Sequence, residues 1–298
     1  MTKSAFVAII GRPSVGKSSL INSLCGSKVS IVSPVPQTTR ASIRGIVSRD
    51  DNQLVFLDTP GMHLSEKKLN RRLTQNAVRS LAGADIILYL LDSTRAAGPE
   101  ELEIVRRIKE NGEERCSRNI IIAINKIDAQ NSDTAAGHAF ITEHFPALPA
   151  EHIIQISALQ KTNLDRLLDL LQSIAPEGPF YYDTGFYTDQ NVPFRIAEII
   201  REKCCLLLRE ELPHSIYVDV VDAQLSGALL NARVFIRCER ESQKGMIVGK
   251  AGSMLQKIRT AALADLKKIF DWSIKLDIRV KTDKNWRQNN KDLDKFKD

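Results

Sequence analysis

One lysine between a glycine and a serine closes a run that begins with another glycine: Gly11, Arg12, Pro13, Ser14, Val15, Gly16, Lys17, Ser18. The spacing G-x-x-x-x-G-K-[ST] suits a phosphate cradle. Glycines let the backbone curl until successive N–H groups face one anion, and the N-terminus of the following helix adds positive potential. Lys17 is expected to reach β- and γ-phosphate oxygens, and Ser18 to place its hydroxyl on Mg²⁺. Gly245-Met246-Ile247-Val248-Gly249-Lys250-Ala251 looks similar, but it has three residues between its glycines and no hydroxyl after Lys250. It cannot form the same loop, so one nucleotide site is expected.

Asp58-Thr59-Pro60-Gly61 ends the apolar run 54–57. A carboxylate at a strand end beside the cradle is placed to hold Mg²⁺, and Gly61 lets a main-chain N–H approach the γ-phosphate. Between cradle and Asp58, Pro34-Val-Pro-Gln-Thr-Thr-Arg40 marks a loop. A threonine there is needed to complete the Mg²⁺ shell; Thr38 and Thr39 both qualify, and Thr39 is favoured. Lys17, Thr39 and Gly61 are thus the residues expected to act at the γ-phosphate, with Ser18, Thr39 and Asp58 as metal ligands.

Asn125-Lys126-Ile127-Asp128 follows the run 119–124, about 110 residues after the cradle. Guanine offers two donors, N1–H and an exocyclic amine, and one carboxylate accepts both; adenine has no equivalent pair. Asp128 is therefore a guanine reader, Asn125 is expected to bond the base edge and tie loops together, and the Lys126 stem to pack on the ring. Ser157-Ala158 follows another apolar run and is placed to offer a backbone N–H to the guanine oxygen.

The elements that must position these groups alternate. Apolar runs at 5–10, 43–47, 53–57, 85–91, 119–124 and 152–156 read as strands, with helical patterns near 17–25, 69–82, 100–111, 134–144 and 163–174. This predicts an α/β domain over 1–175, a mainly parallel sheet with helices on both faces. Residues 176–192, rich in Pro, Gly and aromatics, read as a linker that packs against something. An α-β-β-α-α-β order follows over 193–282: a helix from Phe194 to Glu211, strands 215–221 and 231–238, helices 242–248 and 253–270, and a strand 273–280. Residues 283–298 are a polar tail.

Between the two short helices lies Gly249-Lys250-Ala251-Gly252. In an α-β-β-α-α-β unit this is the KH arrangement, whose glycine-tight turn clamps the backbone of single-stranded nucleotides. Lys244, Lys250, Lys257 and Arg259 would supply charge, and Ile247 and Val248 an apolar floor under the bases. Residues 230–298 hold 17 Lys/Arg against 9 Asp/Glu, a net +8 within an overall +6. A basic C-terminal third on a near-neutral body favours an anionic polymer.

At 298 residues with 43% hydrophobic content, two domains with ample cores are expected. No 18-residue apolar run occurs and the N-terminal apolar stretch is too short for a signal peptide, which points to a cytoplasmic protein. Cys25, Cys116, Cys204, Cys205 and Cys238 have no C-x-x-C spacing, so zinc and thioredoxin-like chemistry are not expected.

The whole chain resembles the Era family of bacterial GTPases: a P-loop GTPase domain followed by a type II KH domain. The matching strings are 11–18, Gln37-Thr-Thr-Arg40, Asp58-Thr-Pro-Gly-Met-His63, 125–128, Ser157-Ala-Leu159, Glu198-Ile-Ile-Arg-Glu-Lys203 and 249–252. The resemblance implies GTP and GDP with Mg²⁺ as ligands, slow GTP hydrolysis, and binding near the 3′ end of small-subunit ribosomal RNA during assembly of the 30S subunit. It also implies a peripheral contact with the inner membrane; a monomer is expected. Ser14 stands where relatives usually carry an Asn that helps hold a potassium ion aiding hydrolysis, so potassium is expected to matter less here. Met62 stands where Ras-like proteins place a water-orienting Gln, and a thioether cannot do that job. Two other readings remain: an RNA-binding assembly factor with negligible turnover, and a GTPase of membrane surfaces.

Overall fold

The structure, a computed structural model, describes residues 1–33, 43–58, 83–110, 119–208 and 212–284. The chain divides into two compact units, one including residues 39–189 and the other 190–297.

In the first unit, strands β1 (Lys3–Ile10), β2 (Ile43–Arg49), β3 (Asn52–Asp58), β4 (Ile86–Asp92), β5 (Ile120–Asn125) and β6 (Ile153–Gln155) form one sheet. Its order is β2-β3-β1-β4-β5-β6. Only the β2–β3 pair is antiparallel, the two strands being joined by a short turn. The other pairings are parallel. The expected mainly parallel sheet is what forms, and β4 and β5 are buried along their whole length because both faces are covered.

Helices α1 (Lys17–Cys25), α2 (Pro99–Glu110), α3 (Thr134–His144) and α4 (Leu164–Ile174) supply that cover. Ile104, Val105 and Ile108 of α2 and Phe140 and Ile141 of α3 pack with Ala8, Ile10, Tyr89 and Ile122 on one face. Helices α1 and α4 pack against β3. Because β1 sits between β3 and β4, the strand ends carrying Gly11, Asp58, Asp92 and Asn125 open into one crevice, the place where such sheets bind ligands.

The segment read as a linker is part of this unit up to residue 189. Buried Gln53 accepts from the N–H groups of Tyr181 and Tyr182 and donates to Tyr182 O. Thr188 Oγ1 donates to Arg44 O, and the rings of Phe6 and Tyr181 lie 4.5 Å apart. Of its aromatics, Tyr181 lies against Phe6 and Tyr182 packs on the cluster of Ile46, Val55 and Leu57, while Phe186 is exposed.

The second unit follows the α-β-β-α-α-β order. Helix α5 (Val192–Leu207) begins at Asn191, whose side chain accepts from Phe194 N, with Pro193 in the first turn where its missing N–H costs nothing. It stops at Leu207 rather than continuing to Glu211: Leu208 turns extended and buries its side chain. A single turn, Leu212–Ser215, leads into β7 (Tyr217–Ser226) and β8 (Leu229–Cys238). This hairpin runs beyond the apolar pattern: after a bulge at Val221 the ladder continues from Asp222 to Ser226 although Val221 and Leu225 are exposed and only Ala223 still touches the core. Then come α6 (Glu241–Val248), α7 (Ser253–Leu266) and β9 (Ser273–Thr282), which pairs parallel with β8. Ile196, Ile200 and Cys204 of α5 meet Ile258, Ala262 and Leu266 of α7 over Val234, Ile236 and Ile278.

Candidate functional site

The phosphate loop is shaped by long-range neighbours. Gly11 has φ +155° and Gly16 φ +106°. A Cβ at Gly16 would stand 2.4 Å from Asn125 Nδ2, and one at Gly11 2.8 Å from Leu90 O. Ser14 takes the left-handed region at φ +63° and is exposed at the loop tip. Val15 is buried beneath the loop.

Lys17 is only 7% exposed. Its ammonium donates to Gly11 O and Arg12 O at 2.8 and 2.9 Å. Burial pushes its pKa down to about 8, while Asp58 and Glu100 pull the other way. A buried cation with main-chain carbonyls as hydrogen-bond acceptors fits an anion placed in the cradle beside it. Ser18 Oγ and Ser30 Oγ donate to Asp58 Oδ2 at 2.9 and 2.7 Å. A hydroxyl and a buried carboxylate this close form a hard-oxygen pair suited to Mg²⁺. Ser30 carried no sequence signal; it reaches Asp58 only through the fold. Thr38, Thr39, Thr59, Pro60, Gly61, Met62, Cys116 and the helical pattern 69–82 lie outside the described residues.

At the base-reading end, Asn125 is buried and joins two loops. Its Nδ2 donates to Val15 O at 2.8 Å, and its Oδ1 accepts from Ala158 N at 3.0 Å. The two bonds place Asn125 between the phosphate loop and the 157–159 turn, the loop-tying position expected of it. The sequence left open which N–H of the Ser157-Ala158 string would meet the guanine oxygen; that of Ala158 is here engaged by Asn125. Ser157 Oγ accepts from Gln160 N and stabilises the turn. Asp128 is exposed in the crevice loop, where a base can reach its carboxylate.

Arg12 and Lys126 lead to a group the sequence reading passed over. Lys126, left-handed at φ +69°, places its ammonium 2.7 Å from Asp92 Oδ2. Arg12 is a second residue that the sequence assigned to the nucleotide site. Its guanidinium turns away from the cradle to Glu101 Oε1 at 2.9 Å and toward Asp92 Oδ2 at 3.7 Å. Burial pushes Asp92 up, but hydrogen bonds from Lys126 and Thr94 outweigh it and hold the carboxyl below the usual range. The available signal was positional: Asp92 ends an apolar strand as Asp58 does.

In the second unit, Gly249 (φ +74°), Ala251 (φ +51°) and Gly252 (φ +79°) make the turn between α6 and α7. A Cβ at Gly249 would come within 2.9 Å of Met254 N, so the turn is closed tightly on the next helix. Lys250, Ala251, Lys257 and Arg259 are exposed, while Lys244 pairs with Glu241 at 3.5 Å. Val248 is half-buried at the turn. Ile247 is 0% exposed and belongs to the core, so it supports the turn and cannot form a floor under bases; the exposed apolar side chain on that helix is Met246. Among the described residues, no cluster of His, Cys, Asp and Glu could hold a further metal ion, and no helix is long and apolar enough to cross a membrane.

Comparison with known proteins bears on both units. A model of the 50S ribosome-binding GTPase family matches residues 6–126, and a KH domain model matches residues 211–287. GTPase Era of Treponema denticola is 43% identical over 295 residues, covering 98% of this chain and 99% of that protein. GTPase Era of Borreliella burgdorferi is 42% identical over 289 residues, covering 97% of each. Among solved structures, an Aquifex aeolicus Era variant bound to GDP.AlF4- superposes with a TM-score of 0.90 at 34% identity, covering 99% of this chain and 98% of that one. Era in complex with MgGDPNP and nucleotides 1506-1542 of 16S ribosomal RNA matches with the same score, identity and coverage.

Proposed function

The chain belongs to the Era family of GTPases, and we propose that it is a slow GTP-hydrolysing switch whose KH unit holds single-stranded small-subunit ribosomal RNA near its 3′ end during assembly of the 30S subunit. The observation that carries this reading is the wiring of the cradle to the guanine reader: Asn125 joins Val15 to Ala158, so phosphate and base are held by one rigid frame. Relatives along the full length, one of them seen with MgGDPNP and 16S ribosomal RNA, support the same assignment.

In this reading Lys17 and the N–H groups of 11–18 neutralise the β- and γ-phosphates, and Asp128 reads guanine. Mg²⁺, when bound, lowers the charge on the phosphate oxygens; Ser18 and Asp58 would hold it, with Thr39 completing the set in the GTP state. The γ-phosphate meets Gly61 and orders the loops around Thr39 and Gly61, and their release on hydrolysis alters RNA binding. Met62 cannot orient water, so turnover is slow until RNA, a ribosomal partner or a cation helps, and Ser14 makes potassium a weaker helper. The protein acts as a cytoplasmic monomer, and its basic C-terminal stretch also suits a peripheral contact with the inner membrane.

The test is a fluorescence titration of single-stranded ribosomal RNA with the protein loaded with GDPNP or GDP. Tighter binding with GDPNP is expected, and linkage then requires RNA to favour GDPNP by the same factor. Equal affinities would remove the switch. GTP turnover that is undetectable with and without RNA would leave an assembly factor without catalysis.

A further inference from the structure

The buried carboxylate of Asp92 stands between the phosphate loop and the guanine-reading loop. Its side chain is 1% exposed, against 33% for Lys126. Oδ1 accepts from Thr94 N at 3.0 Å and from Thr94 Oγ1. Oδ2 takes the Lys126 ammonium at 2.7 Å and faces the Arg12 guanidinium at 3.7 Å. Arg12 has a nearer partner in Glu101, whose other oxygen accepts from Gly98 N at 2.9 Å. Glu101 takes Arg12 Nη1, while the buried Nη2 has no hydrogen bond and faces Asp92 only at ion-pair distance, so the short bond of Asp92 goes to Lys126.

A buried carboxylate is costly unless its oxygens are satisfied, and Thr94 fixes this one from the side opposite Lys126. Lys126 is otherwise a long, flexible chain, and holding it in one rotamer before a ligand arrives removes an entropy cost from binding. We propose that Asp92 is a positioning residue for nucleotide affinity: through Lys126 it holds the lysine stem in the place where the guanine ring packs. This rests on the reading of residues 125–128 as the guanine site. Arg12 ties the same carboxylate to the phosphate loop, so that the two ends of the nucleotide site share one buried cluster of charges.

The experiment is a double-mutant cycle on fluorescent GDP affinity with Asp92→Asn, Lys126→Met and the pair. Lys126→Met keeps the stem and removes the charge that Asp92 holds. Asp92→Asn should weaken GDP binding about tenfold, mostly through a faster off-rate, and should cost little further once Lys126 is Met. Thr94→Val keeps every charge and serves if Asp92→Asn does not fold; it should weaken binding about threefold, again only with Lys126 present. Thermal melting of each variant without nucleotide separates lost fold from lost affinity. An unchanged dissociation constant in Asp92→Asn, or an equal loss in the Lys126→Met background, would overturn the proposal. Failure of the wild-type chain to bind GDP would instead overturn the guanine site itself.

Discussion

Two glycine turns in this molecule, at 11–18 and 249–252, are built differently. In the cradle, Gly16 is fixed by Asn125, a residue about 110 positions away, and Lys17 is buried among main-chain carbonyls. In the KH turn, the atoms that crowd Gly249 belong to Ser253 and Met254 on the next helix, Gly252 has open space where a Cβ would stand, and Lys250 is exposed. The first arrangement stores its order in long-range contacts, which suits a small ligand bound by a few exact partners. The second is a local hairpin with charges in solvent, which suits a polymer whose affinity is summed over several phosphates and falls with salt.

The largest effect expected from this contrast is at Lys17. Lys17→Ala should slow single-turnover GTP cleavage about 10²–10³-fold, the cost of removing one preorganised donor in a water-poor site. RNA affinity of the nucleotide-free protein should not change. Cleavage within a few-fold of wild type would mean that the buried ammonium is structural.

Alanine at the glycines sharpens the comparison. Gly16→Ala puts a Cβ against Asn125 and should break its bonds to Val15 and Ala158, destabilising the first unit by about 2–4 kcal/mol with loss of GDP binding. Gly252→Ala meets no neighbour within 4 Å and pays only for φ +79°, about 1 kcal/mol. Urea denaturation of both variants measures the difference; similar losses would contradict the division into long-range and local turns.

At the exposed turn, Lys250→Asp with Ala251→Asp should lower RNA affinity about tenfold and flatten its salt dependence, leaving GDP binding intact. Unchanged RNA affinity would remove the clamp assignment.

The smallest effect is a pH dependence. Lys17 titrates near 8 in the folded protein against 10.5 for an ordinary lysine. The folded state therefore binds fewer protons than the unfolded one between those values. The charged lysine costs stability below pH 8, and stability without nucleotide should recover as pH rises toward 10.5. GDP needs the charged form, so its affinity should fall about fourfold from pH 7 to 8.5, with proton uptake on binding. Calorimetry in buffers of different ionisation enthalpy reads that uptake; none at pH 8.5 would show that Lys17 keeps its proton throughout.

The strands and most helices were legible because their signals are local: apolar runs of strand length, helical periods, and glycines at fixed offsets in 11–18 and 249–252. Their order in the sheet was not. Placing β1 between β3 and β4 is what brings Gly11, Asp58, Asp92 and Asn125 together, and parallel neighbours carry no mark of their partner in their own residues. Ile247 shows the limit at the scale of one side chain. The pattern near the turn gave it to the RNA face, but the packing of α6 and α7 over β8 and β9 turns it wholly inward.

The sequence by itself determined which chemistry this chain carries, since a phosphate cradle, a guanine-reading carboxylate and a glycine clamp each need particular residue types within a few positions of one another. Only the tertiary structure decided how those pieces are held. Asn125 on Val15 and Ala158, Ser30 on Asp58, Arg12 on Glu101 and Lys126 on Asp92 join residues from 28 to 110 positions apart. A buried polar group must find its partner wherever the folded chain brings one within about 3 Å, and that proximity is a property of strand order and packing, which no short stretch of residues encodes.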